Sequence, residues 1–135
     1  MIHADQKQIN TDLLYTDLTY NVRGCIFKVY NQLGFGHKED VYQKALQLEL
    51  VSNNIAFSSE TSLSVKYKQK AVGIYRPDFL IEDKLIVELK AVEFMPQQYE
   101  TQLLHYLKTT GYSLGLLVNF GSPKLYIKRF VWTKP

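Results

Sequence analysis

The sequence predicts a mixed α/β domain in which one mixed central sheet packs against flanking helices. Three observations indicate this fold class: two helical apolar patterns come first, a β-rich middle follows, and a third helical pattern precedes two last strands. The predicted order is therefore helix, helix, three strands, helix, two strands. The 135 residues suit a single domain, because a domain of about 150 residues already buries roughly two-thirds of its unfolded surface.

Two helices are predicted in the first part of the chain. From Asp17 onward, apolar residues recur at helical spacing, and the pattern stops at Gly34 and Gly36. A second helical pattern runs from about His37 to Ser52. Its apolar side chains form two adjacent stripes, one of Val41, Ala45 and Leu48 and one of Tyr42, Leu46 and Leu50.

The strands and the last helix are predicted from apolar runs and turn residues. Residues 55–81 indicate two strands separated near Lys68 to Lys70, and a third strand runs from Leu85 to Lys90. Pro96 suits the first turn of a helix that ends at Gly111 as its C-terminal cap. The two last strands are predicted at Tyr112 to Phe120 and Lys124 to Trp132, on either side of a Gly-Ser-Pro turn.

Composition and charge exclude several classes of protein. The 46% hydrophobic and 21% charged residues are typical of a globular chain and not of a disordered or collagenous one. Residues 1–16 form a polar segment that is expected to be flexible, and residues 17–135 are expected to form one domain. Neither a signal peptide nor an apolar run of about 20 residues is present, so no membrane contact and a cytoplasmic location are expected. Cys25 is the only cysteine, which excludes an internal disulfide and a cysteine-rich zinc site.

Charged residues interrupt an otherwise apolar hairpin in the middle of the chain. If the hairpin is centred on Asp83, then Asp78 lies opposite Glu88, with Cβ atoms about 5 Å apart. Side chains two apart on a strand share a face, so Lys90 stands on the same side as Glu88. The pattern therefore predicts two carboxylates and one ammonium group around one small volume.

A divalent metal ion would resolve the repulsion between these two carboxylates. Like charges directly opposite each other are destabilising unless one is protonated or a cation lies between them. Oxygen ligands that leave room for water suit Mg²⁺ or Mn²⁺ better than zinc. Two other interpretations remain open from the pattern alone, a solvated strand end and a structural ion pair.

Two spaced motifs resemble the PD-(D/E)XK nucleases. Pro77-Asp78, a nine-residue gap and Glu88-Leu89-Lys90 resemble the signature of that superfamily, and Gln102 with Tyr106 resembles the Gln-x-x-x-Tyr motif of its RecB-type members. The resemblance implies that the aspartate and glutamate bind metal and that the lysine assists hydrolysis. It also implies that Gln102 orients a water or a ligand carboxylate while Tyr106 braces it.

A third motif lies upstream of the hairpin. The segment from Gly36 through Glu39 to Tyr42 is similar to the motif of the GxxExxY proteins, a branch of the same superfamily, and the similarity extends from about Leu18 to Trp132. It implies a restriction-endonuclease-like core. Glu39 shares a helical stripe with Tyr42, so it is expected to point inward as a further carboxylate, with Tyr42 in support. The alternative for Glu39 is a helix N-terminal carboxylate that the helix dipole favours.

The expected function is a metal-dependent nuclease that hydrolyses phosphodiester bonds in nucleic acid, with DNA as the expected substrate. Asp78, Glu88 and the Leu89 carbonyl would hold Mg²⁺ or Mn²⁺, and Glu39 would hold a second ion directly or through water. Lys90 would position the attacking water or stabilise the developing charge. The catalytic set is therefore Asp78, Glu88, Lys90, Glu39 and Gln102.

Basic residues are candidates for contacts with the phosphate backbone, which provide affinity without sequence information. They are Lys66, Lys68, Lys70, Lys124, Lys128 and Arg129. The net charge of +3 permits such a partner without requiring it. Two alternatives remain: a nucleic-acid-binding or protein-interaction module of the same fold without turnover, and an assembly subunit that dimerises through its aromatic surface.

Overall fold

The computed structural model describes residues 15–134. Most of the polar segment 1–16 lies outside the described residues. Within them, no helix combines the length and the apolar character needed to cross a membrane. The described elements, in chain order, are α1 (Thr16–Leu33), α2 (Glu39–Ser52), β1 (Phe57–Ser59), β2 (Leu63–Tyr67), β3 (Lys70–Tyr75), β4 (Phe79–Ile81), β5 (Leu85–Lys90), α3 (Gln97–Thr110), β6 (Leu114–Asn119) and β7 (Tyr126–Val131).

The central sheet is mixed, as predicted. Its strand order is β1-β4-β5-β6-β7, and β5 lies in the middle. β5 pairs antiparallel with β4 and parallel with β6, and α3 makes the crossover between the two parallel strands. The two outer pairs, β1 with β4 and β6 with β7, are antiparallel.

The number of strands before the hairpin turn differs from the prediction. Two strands were predicted in residues 55–81, but the structure has four there. The breaks occur because Glu60 takes a left-handed φ of 58° after β1 and Pro77 follows β3. A left-handed residue and a residue without an N–H both interrupt a strand. β1 and β4 join the central sheet, whereas β2 and β3 form a separate two-stranded sheet.

Side chains alternate along β5 between two apolar cores, one on each face of the sheet. Leu85, Val87 and Leu89 belong to the core that α1 and α2 cover, and Ile86 belongs to the core that α3 covers. By the same alternation, Glu88 and Lys90 continue the α3 face. The face that carries the predicted site is therefore the one beneath α3.

The helices bury one stripe each. On α2, Tyr42, Leu46 and Leu50 are fully buried, whereas Leu48 of the other predicted stripe is 71% exposed. Each leucine buried in this way stabilises the fold by about 1.5–3 kcal/mol. These contacts fix α2 against the sheet, and its first residue is Glu39.

Candidate active site

The hairpin has the predicted register. Phe79 pairs with Val87 and Ile81 with Leu85, so Asp78, one residue before β4, lies opposite Glu88. Lys84 N–H donates to the Ile81 carbonyl at 3.0 Å, across a turn in which Glu82 and Asp83 are both left-handed, with φ of 50° and 54°. Two left-handed central residues match the twist of a tight hairpin, which holds this register.

Each acidic side chain bonds to the backbone of the opposite strand. The Asp78 N–H donates to Glu88 Oε1 at 2.8 Å, and the Leu89 N–H donates to Asp78 Oδ2 at 2.8 Å. The two carboxylates thereby extend the ladder beyond the last regular pair of β4 and β5. Each has a second oxygen that these two bonds do not use.

The protonation of the pair reflects burial and mutual repulsion. Burial and then the charge of Asp78 raise the pKa of Glu88 to about 7, against the lowering effect of Lys90. Burial also raises the pKa of Asp78, and the nearby charge of Glu60 adds to that rise. Glu60 directly follows Ser59, which pairs with Phe79, so the β1 register places it beside Asp78. Burial and repulsion among the carboxylates therefore outweigh the opposing charge of Lys90.

Tyr75 covers the Glu88 side of the pair. Its hydroxyl is buried, faces Glu88 and makes no hydrogen bond of normal geometry within residues 15–134. Its ring stacks on Tyr106, with centroids 3.8 Å apart and planes 6° apart. Burial and the charge of Glu88 raise the pKa of Tyr75, so its hydroxyl stays protonated beside the carboxylate.

Lys90 is half-buried and lies against an aromatic ring. Its Nζ is 4.3 Å from the centroid of the Tyr99 ring, within the range of a cation–π interaction. It forms no ion pair with a carboxylate of the described part of the chain. Its charge nevertheless lowers the pKa values of Asp78 and Glu88, so it is electrically coupled to the pair without contacting it.

Glu39 approaches from the first turn of α2 and remains open to solvent on one side. Burial and then the charge of Asp78 raise its pKa, whereas Lys90 lowers it. Tyr42, one turn later, is fully buried: its hydroxyl donates to the Gly34 carbonyl at 2.7 Å and accepts the His37 N–H at 3.2 Å. Tyr42 therefore holds the loop that precedes Glu39.

The donor set fits a small divalent ion that keeps several waters. Within residues 15–134, no three histidine, cysteine, aspartate or glutamate side chains are grouped to hold a metal ion. The available donors are the oxygens of Asp78 and Glu88 that the two backbone bonds leave unused, with the main chain of Leu89 beside them. Mg²⁺ is commonly bound by one or two carboxylates and water. Glu39 as a direct ligand remains a prediction.

Gln102 and Tyr106 occupy one cleft, but no hydrogen bond joins Gln102 to the acidic pair in the described chain. They line a cleft of about 480 Å³ between α3 and Val65 of β2. Tyr106 contacts the site through the Tyr75 ring. The role of Gln102 stays a prediction, since its side chain is exposed in this cleft.

The predicted basic residues do not form one surface. Lys66, Lys68 and Lys70 are exposed on the sheet of β2 and β3. Lys128 pairs with Glu100 at 2.7 Å, and Arg129, its neighbour on β7, points to the opposite sheet face. Lys128 is thus already neutralised in this structure. Lys124 is exposed in the turn between β6 and β7.

Asn119 supports the site and was not identified from the sequence. It is 2% exposed and lies beside Lys90 in the β5–β6 ladder. Its amide accepts the N–H groups of Val92 and Gly121 at 3.0 and 2.9 Å and donates to the Val92 carbonyl at 2.9 Å. A Cβ at Gly121 would lie 2.2 Å from Val92 N, so only glycine permits this close approach. The one signal in the sequence was a polar residue between apolar Val118 and Phe120.

Comparisons with known proteins agree with this geometry. The family model described as the PD-(D/E)XK nuclease superfamily matches residues 16–130. A comparison with curated proteins finds no match.

Two solved structures share the fold. SSO0001 has a TM-score of 0.53 at 18% identity over 71% of this chain and 50% of that protein. An alkaline exonuclease (LHK-Exo) from Laribacter hongkongensis has a TM-score of 0.51 at 12% identity over 70% of this chain and 56% of that protein. The chain thus spans about half the length of either protein. With the family match, the shared fold and a hairpin that brings Asp78 and Glu88 together, the chain belongs to the PD-(D/E)XK nuclease superfamily.

Proposed function

We propose that this protein is a Mg²⁺- or Mn²⁺-dependent nuclease that hydrolyses phosphodiester bonds, with DNA as the expected substrate. The observation that carries the proposal is the pair of Asp78 and Glu88, in which each carboxylate accepts a 2.8 Å hydrogen bond from the backbone of the opposite strand. Burial and mutual repulsion raise the pKa of Glu88 although Lys90 is nearby. Membership in the nuclease superfamily supports it. The restriction-endonuclease-like fold, shared with an alkaline exonuclease, is consistent with it.

Asp78, Glu88 and the Leu89 carbonyl would hold the metal ion. Such an ion supplies an activated water at neutral pH and neutralises charge on the phosphoryl oxygens. The backbone bonds to Asp78 Oδ2 and Glu88 Oε1 orient the two carboxylates before any ligand arrives. Little rearrangement is then needed on binding, which is the advantage of a preorganised site.

Lys90 would stabilise the charge that develops on the phosphate. Its ammonium is coupled to both carboxylates but bonds to neither, so it keeps its hydrogen-bond donors for a substrate oxygen or the attacking water. Glu39 would hold water at the solvent side of the site, beside Asp78. Gln102 would contact the substrate from the cleft next to Tyr106.

Cleavage assays with single- and double-stranded DNA and RNA, with and without Mn²⁺, test this function. We expect wild-type cleavage that EDTA abolishes. Lys90→Ala should lower the rate by about a hundred- to a thousandfold, as the loss of one transition-state stabiliser typically does, while metal binding persists. Asp78→Ala should lose activity and metal binding together.

Asp40→Ala is the matched control, because Asp40 lies next to Glu39 but pairs only with Lys44 at 4.0 Å on the exposed face of α2. It should cleave as the wild type does. If Lys90→Ala is as active as the wild type, the role of Lys90 is wrong. If the wild type cleaves none of the four substrates, a binding module without turnover replaces the nuclease.

A further inference from the structure

The sheet of β2 and β3 is a separate hairpin, called here the arm and comprising residues 63–75. It shares no strand with the central sheet. All residues from 66 to 74 are exposed, whereas Leu63 and Val65 pack with the core beneath α3. The arm is therefore anchored at one end and open to solvent at the other.

The anchored end of the arm is part of the candidate active site. Tyr75, its last residue, stacks on Tyr106 and faces Glu88. Next to it, Arg76 Nε donates to Ser62 Oγ at 2.9 Å and ties the two ends of the arm together. β3 has six residues, and a strand of that length spans about 20 Å. The tip of the arm thus lies roughly that distance from the acidic pair.

The charged side chains of the arm are all basic and lie at its tip. Residues 63–76 include no aspartate or glutamate. Lys66 pairs with Ala71 and Tyr67 with Lys70, so the three lysines 66, 68 and 70 lie within the last two rungs and the turn. None of them forms an ion pair within residues 15–134. Lys68 Nζ lies 5.5 Å from the ring centroid of exposed Tyr67.

A cleft connects the arm to α3 and has a different chemical character. It measures about 480 Å³, and its lining includes no lysine, arginine, aspartate or glutamate; the polar residues on the α3 side are Gln98, Thr101, Gln102, His105 and Thr109. Amide and hydroxyl groups are suited to sugar and base edges, and lysines at the tip are suited to phosphates. The two surfaces together match a strand that runs from the site towards the tip.

We propose that the arm and α3 bind the nucleic-acid strand that extends from the scissile phosphate, and that the tip lysines hold a phosphate about 20 Å away. This inference rests on the proposed function and adds a length requirement to it. Phosphates on one strand of a duplex are spaced by about 3.4 Å along the axis, so a substrate must extend about six nucleotides to reach the tip. The alternative occupant, a second copy docked on exposed Val72 and Ile74, would bring two basic tips together.

The test compares the triple variant Lys66→Gln/Lys68→Gln/Lys70→Gln with the matched variant Lys28→Gln/Lys44→Gln/Lys84→Gln. Both lose three positive charges, but the second set lies on α1, α2 and the β4–β5 turn. The kcat/KM is measured with Mn²⁺ on DNA oligonucleotides of three to twenty nucleotides. Binding to the same oligonucleotides is measured by fluorescence anisotropy at several salt concentrations.

For the wild type and the matched variant, kcat/KM should rise as the substrate passes about six nucleotides. For substrates longer than about six nucleotides, kcat/KM of the arm variant should be at least tenfold below that of the matched variant. The slope of its log binding constant against log salt concentration should fall in magnitude by up to about three. Equal length dependence in both variants would overturn the proposal. The proposal would also be overturned if sedimentation showed a dimer for the wild type but not for the arm variant, while both bound the oligonucleotides equally well. If no oligonucleotide is cleaved but the salt slope still falls, the nuclease function fails and the arm stands.

Discussion

Glu88 makes the stability of the metal-free protein depend on pH. Its pKa is about 7 in the fold and about 4.3 in an unfolded chain, so the folded state holds the extra proton between these values. The contribution of Glu88 to the free energy of unfolding is therefore nearly complete at pH 4. It falls by up to about 3 kcal/mol as the pH rises to 7. Urea unfolding in EDTA at pH 5 and pH 8 measures this change.

Glu88→Gln is the control for that prediction, because it keeps the shape without the charge. We expect this variant to be the more stable protein at pH 8 and to show a flatter pH profile. Added Mg²⁺ should reverse the trend in the wild type, since the ion binds the ionised pair. A wild-type stability that rises from pH 5 to pH 8 in EDTA would contradict the assignment.

Tyr99 should position Lys90 through its ring and not through its hydroxyl. A cation–π contact at 4.3 Å is worth about 0.5–2 kcal/mol. Tyr99→Leu should therefore lower kcat by about two- to thirtyfold with a small change in KM. Tyr99→Phe keeps the ring and should restore most of the rate. Equal loss in both variants would assign the effect to the hydroxyl, because Tyr99→Phe keeps the ring and its packing.

The positions of the acidic pair could be predicted from local pattern, whereas their aromatic neighbours could not. Asp78, Glu88 and Lys90 follow from strand parity and a short hairpin, which depend only on nearby sequence. The contacts of Tyr75 and Tyr99 depend on how α3 packs across the sheet. The chain has ten tyrosines, and their number alone gives no sign of these two contacts.

At the level of elements, Asn119 fastens the end of β5 to the end of β6. Asn119→Leu removes three hydrogen bonds and leaves partly buried backbone groups of Val92 and Gly121 without these partners. A fully buried unsatisfied group costs about 1–3 kcal/mol, but these three groups are only partly buried and can bond in part to water. We therefore expect a loss of about 2–4 kcal/mol in urea unfolding. Asn119→Asp keeps the acceptor and loses the donor, so its free energy of unfolding should lie between those of the wild type and Asn119→Leu. A loss below 1 kcal/mol for the leucine variant would contradict this role.

Long, periodic elements were predicted well, and short ones were not. The run from Leu85 to Lys90 coincides with β5, because its six residues have clear turn residues before them. β1 and β4 have three residues each, which is too short for alternation to be detected. β4 is also buried on both faces, so it shows no alternation at all.

For the whole molecule, metal binding should appear as thermal stabilisation. A ligand that binds only the folded state adds about 2.7 kcal/mol at a hundredfold excess over Kd. For a domain of this size, that corresponds to a rise of about 5–15 °C in melting temperature. We expect the rise with Mg²⁺ or Mn²⁺ in differential scanning calorimetry, its reversal by EDTA and its absence in Asp78→Ala. An unchanged Tm at millimolar metal would argue against an ion at this hairpin.

The hairpin that carries the acidic pair also has a consequence for the order of folding. Asp78 and Glu88 are brought together by a loop so short that closing it costs little chain entropy. The parallel pairing of β5 with β6 must wait for the crossover through α3, which closes a much longer loop. We therefore expect the repelling carboxylates to meet early, before Tyr99 of α3 packs against Lys90 and before Asn119 of β6 bonds to Val92. Until then the two carboxylates would repel each other without the support of α3. A cation present during folding would reduce this repulsion, so we expect it to speed formation of the hairpin as well as to stabilise the folded state.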